Sequence, residues 1–240
     1  MDLEQYLENR KNRVAQEPKY RVLCETCLQP DYGCYCRHLQ AFDPGIKFVI
    51  LIHPIELRRR IATGRMSHLM LKNSELITGH DYSANRRVNE IIADTRFAPL
   101  ILYPGVKSIN LTPRSFAERS SLFPTDREPV LFVIDGTWAT ARQMMNKSEN
   151  LKKVPRICFS PDKPSNFRVR KQPAPGCYST IEAIHHTLDL LSGIPRFQIQ
   201  DRQHDRLIHV FDRMVEKQLE FVPKSWANPR RARGRAFKNT

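Results

Sequence analysis

The sequence predicts an α/β domain in which a mostly parallel sheet is flanked by helices. Two observations lead there. Runs such as "IKFVILI" at 46–52 and "VLFVI" at 130–134 are apolar throughout, the pattern of strands buried on both faces, as in parallel sheets covered by helices. From about residue 46 onward, strand-like and helix-like segments alternate, as they do in layered α/β architectures. With 240 residues, 40% of them hydrophobic, the chain suffices for one large domain, or one domain with a small appendage.

The elements follow in order. Residues 1–20 read as a polar helix, and 21–40 as a cysteine-rich segment too polar and turn-rich for a core of its own. The main domain covers 41–222. It opens with the strand "IKFVILI", followed by a short helix "GRMSHLML", a helix "NRRVNEIIAD" and a strand "APLILYPG" stopped by Pro-Gly. "TPRSFAERSS" reads as a helix with Thr112 as N-cap and Pro113 at its first position. Then come the strand "PVLFVIDG", the helix "TWATARQMMNKS" and the strand "PRICFS". "STIEAIHHTLDLLSG" reads as a helix capped by Ser179 or Thr180 and stopped by Gly193, with Ile181, Ile184, Leu188 and Leu191 on one face. Residues 202–220 form a last amphipathic helix. The end, 223–240, holds six basic residues and no acid and reads as a flexible arm.

Lysine and arginine total 39 against 25 acids, a net charge of +14. Such a balance points to a polyanionic partner, usually nucleic acid; the alternative is a basic protein with no such partner. The apolar runs are too short to cross a bilayer. The charged N-terminus has no signal-peptide character, so the expected location is the cytoplasm. No G-x-G-x-x-G follows a strand and no Walker loop occurs, which argues against nicotinamide and nucleoside-triphosphate chemistry.

Four of the six cysteines, Cys24, Cys27, Cys34 and Cys36, read C-x2-C-x6-C-x-C. Clustered cysteines in a cytosolic chain favour metal over disulfides. Four thiolates close a tetrahedral Zn²⁺ site with no open position, hence a structural one. His53 and Glu56 are separated by Pro54, which breaks any helix linking them. The histidine pairs further on read as core or surface residues rather than ligands.

The strand "VLFVI" runs into Asp135, Gly136, Thr137 and Trp138. Ligands of open α/β sheets bind beyond the carboxyl ends of strands, where Asp135 lies. Gly136 permits a sharp turn, Thr137 caps the next helix, and Trp138 offers a flat surface to a base. The alternative is a capping aspartate and a core tryptophan. Thr63 and Gly64 form a candidate ligand-binding turn. Arg58, Arg59 and Arg65 belong to a dense positive loop, and Arg168, Arg170 and Lys171 interleave with Phe167 and Tyr178, as phosphate-contacting bases do with stacking aromatics. For both basic loops a solvated charged face is the alternative, and for Glu182 it is complementing a helix dipole.

Together these pieces resemble the DTW-domain family, named for the motif that Asp135, Thr137 and Trp138 form here. The four cysteines, "HP-x-E" at 53–56, "TG" at 63–64 and "STIEA" at 179–183 extend the resemblance over roughly residues 20–195. It implies a SPOUT-like fold whose deep trefoil knot forms part of a cofactor site. It implies a bacterial tRNA-uridine aminocarboxypropyltransferase that moves the 3-amino-3-carboxypropyl group of S-adenosylmethionine to N3 of a uridine, at position 47 of the variable loop, and releases 5′-methylthioadenosine. On that footing Asp135 is the candidate general base. Thr63, Gly64, Pro104, Gly136, Thr137, Trp138, Ser179, Thr180 and Glu182 are candidates for the cofactor pocket. The basic loops, with Arg230, Arg231, Arg233 and Arg235 of the arm, would hold the tRNA.

Overall fold

Six parallel strands form the centre of the chain. The computed structural model describes residues 22–170, 172–174, 176–194, 197, 199 and 201–221, together with Gln5 and Glu8. The expected N-terminal helix as a whole, Lys171 and the basic arm lie outside the described residues. In chain order the strands are β1 (Lys47–Ile52), β2 (Ser74–Thr78), β3 (Phe97–Leu102), β4 (Ile109–Asn110), β5 (Glu128–Asp135) and β6 (Arg156–Cys158). Across the sheet they run β2-β1-β5-β3-β6-β4, and every pairing is parallel.

The helices are α1 (Pro54–Leu57), α2 (Thr63–Met70), α3 (Arg86–Ala93), α4 (Phe116–Ser120), α5 (Trp138–Lys147), α6 (Glu149–Lys152), α7 (Thr180–Leu191) and α8 (Asp205–Leu219). Alternate strand residues feed two cores, which is why the strands are apolar on both faces. Phe48, Ile50, Leu131 and Val133 pack with Met66 and Met70 of α2, Ile181, Ile184, Leu188 and Leu191 of α7 and Phe211 of α8. Val49, Leu51, Val130 and Phe132 pack with Val88 and Ile91 of α3 and Met144 of α5 on the other side.

The cysteine segment has no separate core. Cys27 and Tyr35 are buried within the first of these cores, and Gln29 Nε2 donates to Arg60 O at 2.8 Å. No described helix is long and apolar enough to cross a membrane.

At three places the structure departs from the sequence pattern. The helix expected from Thr112 begins at Phe116: Ser115 caps it and Glu118 closes a capping box. That S-x-x-E pattern satisfies two end amides at once, which Thr112 and Pro113 do not. Pro54 does not break a helix but begins one, at a position where the missing N–H costs nothing; His53 is its N-cap, and its Nδ1 accepts from Ile55 N at 3.3 Å. The strand β2, "SELIT", was absent from the sequence reading. It is a half-exposed edge, and its Glu75 takes Lys47 at 2.6 Å and Arg87 at 2.6 Å, the charged kind of residue that keeps an edge from pairing with other chains. Gly193 ends α7 at φ +87° as expected.

Candidate active site

Asp135 is the last residue of β5, a strand with neighbours on both sides. Ile52 of β1 lies opposite it, and its own carbonyl accepts from His53 N at 2.9 Å. The side chain is 4% exposed. The Thr180 hydroxyl donates a short hydrogen bond to Oδ1, whereas Oδ2 has no hydrogen-bond partner among the described residues. Burial pushes the carboxyl up to about 6. The Thr180 bond opposes this, the Glu56 charge adds to it, and the Arg170 charge and the nearby Gly64 backbone amide oppose it again. The N-terminus of α2 comes so close that a Cβ on Gly64 would lie 2.5 Å from Oδ2. Any other side chain there would displace the carboxylate.

Beside Asp135 opens a cavity of about 540 Å³. Its walls include the residues just past three strands: Tyr103 and Pro104 after β3, Gly136, Thr137 and Trp138 after β5, and Phe159 after β6. Thr63, Thr137, Ser179 and Thr180 also line it, so the N-terminal turns of α2, α5 and α7 converge there, each bringing unpaired amides and a partial positive charge. Thr137 is the N-cap of α5, accepting from Thr140 N at 3.1 Å. Phe159 and Tyr178 pack with their rings tilted by 46° and centroids 5.5 Å apart. A cavity of this size, with apolar walls and few polar groups, suits a small organic ligand.

The sequence reading brought Thr63, Pro104, Gly136, Thr137, Trp138, Ser179 and Thr180 to this cavity. Gly64 packs against Asp135 and is not on the cavity walls; Glu182 also stands apart from them. Its carboxylate accepts from Ser179 N at 2.8 Å, Ser179 Oγ at 2.6 Å, Ser165 Oγ at 2.7 Å and Asn166 N at 2.7 Å. Glu182 caps α7 and holds the loop above it. The cavity residues Tyr103 and Phe159 were missed, although their places immediately after strands could have flagged them.

Two arginines assigned to RNA face elsewhere. Arg65 is 6% exposed, and its guanidinium donates to the carbonyls of Leu57 and Arg59 at 2.5 and 2.6 Å, so it pins the 57–60 loop instead of meeting phosphate. Arg170 lines the cavity and forks onto Glu56, with Nη1 to Oε2 at 3.0 Å and Nη2 to Oε1 at 2.8 Å. Glu56 is 2% exposed, and no sequence pattern links residues so far apart. Arg58, Arg59 and Arg168 are exposed.

The four cysteines come together. Cys24 Sγ lies 3.6 Å from Cys36 Sγ, Cys27 Sγ 3.7 Å from Cys34 Sγ, and all four sulfurs lie within 4.8 Å of one another. Tetrahedral Zn–S bonds of about 2.3 Å put sulfurs roughly 3.8 Å apart, so the spacing fits a metal ion. Backbone amides of Cys27 and Thr26 lower the Cys24 thiol to about 6, toward the thiolate a metal binds, whereas burial raises the Cys27 and Cys36 thiols. His185, His204 and Asp205 also cluster, but Arg202 ties Asp205 to Asp189 at 2.7 and 3.0 Å, so that group already has its cation.

Among curated proteins, a Drosophila melanogaster protein named tRNA-uridine aminocarboxypropyltransferase 2 is 28% identical over 190 residues, 77% of this chain and 72% of the fly protein. The Macaca fascicularis protein of the same name is 27% identical over 181 residues, 74% of this chain and 59% of that protein. An Arabidopsis thaliana protein named tRNA-uridine aminocarboxypropyltransferase A is 24% identical over 232 residues, 88% of this chain and 86% of the plant protein. No solved structure matches the chain. The DTW domain matches residues 21–219, from the cysteine segment to the end of α8: the chain belongs to the DTW-domain family.

Proposed function

We propose that this chain transfers the 3-amino-3-carboxypropyl group of S-adenosylmethionine to N3 of a tRNA uridine, at position 47 of the variable loop, with release of 5′-methylthioadenosine. The observation that carries the reading is the buried, half-bonded carboxylate of Asp135 beside an aromatic-walled cavity at the strand ends. The names of the relatives, all tRNA-uridine aminocarboxypropyltransferases, supply the reaction class.

The residues present fit such a donor. The cavity has the volume of a small-ligand site, and Trp138, Tyr103 and Phe159 offer apolar and stacking surface. The donor's sulfonium makes its attached carbons electrophilic. The protein's part is orientation and proton removal. Uridine N3 carries a proton and is a poor nucleophile until it leaves. Asp135 lines the cavity as its one described carboxylate, and burial makes it a stronger base than an exposed aspartate, fit to take that proton. As N3 forms its bond to carbon, the carbon–sulfur bond breaks and the proton stays on Asp135.

The same reading carries a SPOUT-like chain path with a knot at the cofactor site, supported by the parallel sheet and by a cavity at its carboxyl edge. It places a structural Zn²⁺ on Cys24, Cys27, Cys34 and Cys36. It gives the tRNA backbone to the exposed Arg58, Arg59 and Arg168, and, from sequence, to Lys171 and the arm that holds Arg230, Arg231, Arg233 and Arg235.

The test incubates purified protein with S-adenosylmethionine and tRNA, then reads nucleosides and by-product by mass spectrometry. Aminocarboxypropyluridine with methylthioadenosine is the expected result. Methyluridine with S-adenosylhomocysteine would make the chain a methyltransferase. Binding of tRNA without modification would make it an RNA-binding protein.

A further inference from the structure

Resting on that reading, we propose that Arg170 grips the carboxylate of the transferred aminocarboxypropyl chain, and that Glu56 is the positioning residue that holds Arg170 in place. Among the described residues lining the cavity, Arg170 is the sole Lys, Arg or His and Asp135 the sole Asp or Glu. A carboxylate entering such a pocket is strongly disfavoured unless it meets a cation. The group being moved carries one carboxylate; the methylthioadenosine left behind carries none. One end of the donor therefore demands a cation, and Arg170 is the one that the described wall residues provide.

The Glu56 carboxylate is buried and lies outside the cavity wall. Its fork with Arg170, at 3.0 and 2.8 Å, joins positions 114 residues apart and fixes the plane of the guanidinium. Among the described residues two of its five N–H donors are used, leaving others for a second carboxylate. Arg170 is turned inward, with 21% of its side chain exposed, whereas Arg168 two residues earlier faces solvent; the pair separates an interior duty from an exterior one. Arg170 and Asp135 line the same cavity, so the two face a common space. A chain anchored at Arg170 presents its far carbon toward Asp135, which favours aminocarboxypropyl over methyl transfer on one donor.

The experiment measures binding of S-adenosylmethionine, decarboxylated S-adenosylmethionine and 5′-methylthioadenosine by calorimetry, alongside melting curves. Decarboxylated donor differs from the natural one by the carboxylate alone. Wild type should favour the natural donor by about ten- to hundredfold, the range for a charge-assisted bond. Arg170→Gln should lose that preference while binding the other two ligands as wild type does, and Arg170→Lys should recover part of it. Glu56→Gln/Arg170→Gln, which leaves no buried charge unpaired, should repeat the loss with an intact fold. If Arg170→Gln and the double variant keep the preference, or weaken all three ligands equally, the assignment is overturned, and continued tRNA modification by wild type shows that the transfer reading survives. A wild type that binds none of the three ligands overturns both.

Discussion

Glu182 and Asp135 both bond the first turn of α7, the one through Ser179 and the other through Thr180, yet their surroundings prepare them for different work. Glu182 accepts four hydrogen bonds, from Ser179 N and Oγ, Ser165 Oγ and Asn166 N. Its charge is spread over fixed donors, which makes it a structural tie. Among the described residues Asp135 has the Thr180 hydroxyl on Oδ1, while Oδ2 has no well-formed hydrogen bond and only the Gly64 backbone beside it. Its charge is therefore costly in the resting fold and available to a substrate proton. Burial alone does not make a carboxylate reactive; burial with its acceptor capacity left open does.

The largest expected effect breaks the comparison at Asp135. Asp135→Asn should cut aminocarboxypropyl transfer by about 10²-fold or more, as loss of a general base does, with S-adenosylmethionine binding retained by calorimetry. Normal turnover would make Asp135 as structural as Glu182. The cysteines extend the structural side of the contrast. Purified protein should hold about one Zn²⁺ per chain, and Cys24→Ser or Cys36→Ser should lose metal and thermal stability together, read by elemental analysis and melting curves.

A pH experiment sharpens the contrast. The Asp135 carboxyl is raised to about 6 from an ordinary carboxylate value. A raised value means the folded state favours the proton. That contribution to stability is fully present below the ordinary value and lost as pH rises through about 6. Asp135→Asn should therefore stabilise the fold relative to wild type by on the order of 3 kcal/mol more at pH 8 than at pH 4, seen as a pH-dependent gap in melting temperature. Activity should move the other way: wild-type turnover rises as Asp135 ionises.

Glu182→Gln should cost stability, about 1–3 kcal/mol, because an amide cannot accept from all four donors; turnover at saturating donor should change by only a few fold. The smallest effect belongs to Thr180→Val. Without its hydroxyl the ionised form of Asp135 loses a partner, so the ascending limb of the pH–rate profile should shift upward, with turnover recovered at pH 8. A fixed limb would mean that another group governs it.

Much of this was readable from short-range pattern. Two-sided apolar runs gave the parallel sheet, S-x-x-E and Ser-Thr-Ile-Glu marked helix starts, and the spacing C-x2-C-x6-C-x-C brought four sulfurs together. The apolar run ending in Asp135-Gly136 pointed to the carboxyl edge of the sheet. Short edge strands escaped because β2 and β4 have little apolar periodicity: five half-polar residues and two residues carry no pattern to read.

Long-range neighbours were not readable. A guanidinium is equally at home on phosphate, carbonyl or carboxylate, and a sequence states which residue is an arginine, not what the fold sets opposite it. So Arg65 turned inward onto Leu57 and Arg59, Arg170 found Glu56 across 114 residues, and Glu182 spent its oxygens on a loop. The sequence determined that a carboxylate would stand at the end of β5. That Gly64, Thr180, Glu56 and Arg170 would surround it, and that burial would raise its basicity against the Thr180 bond and the Arg170 charge, followed from packing three helix starts onto that strand end, since burial and Coulomb interactions depend on distance in space rather than along the chain.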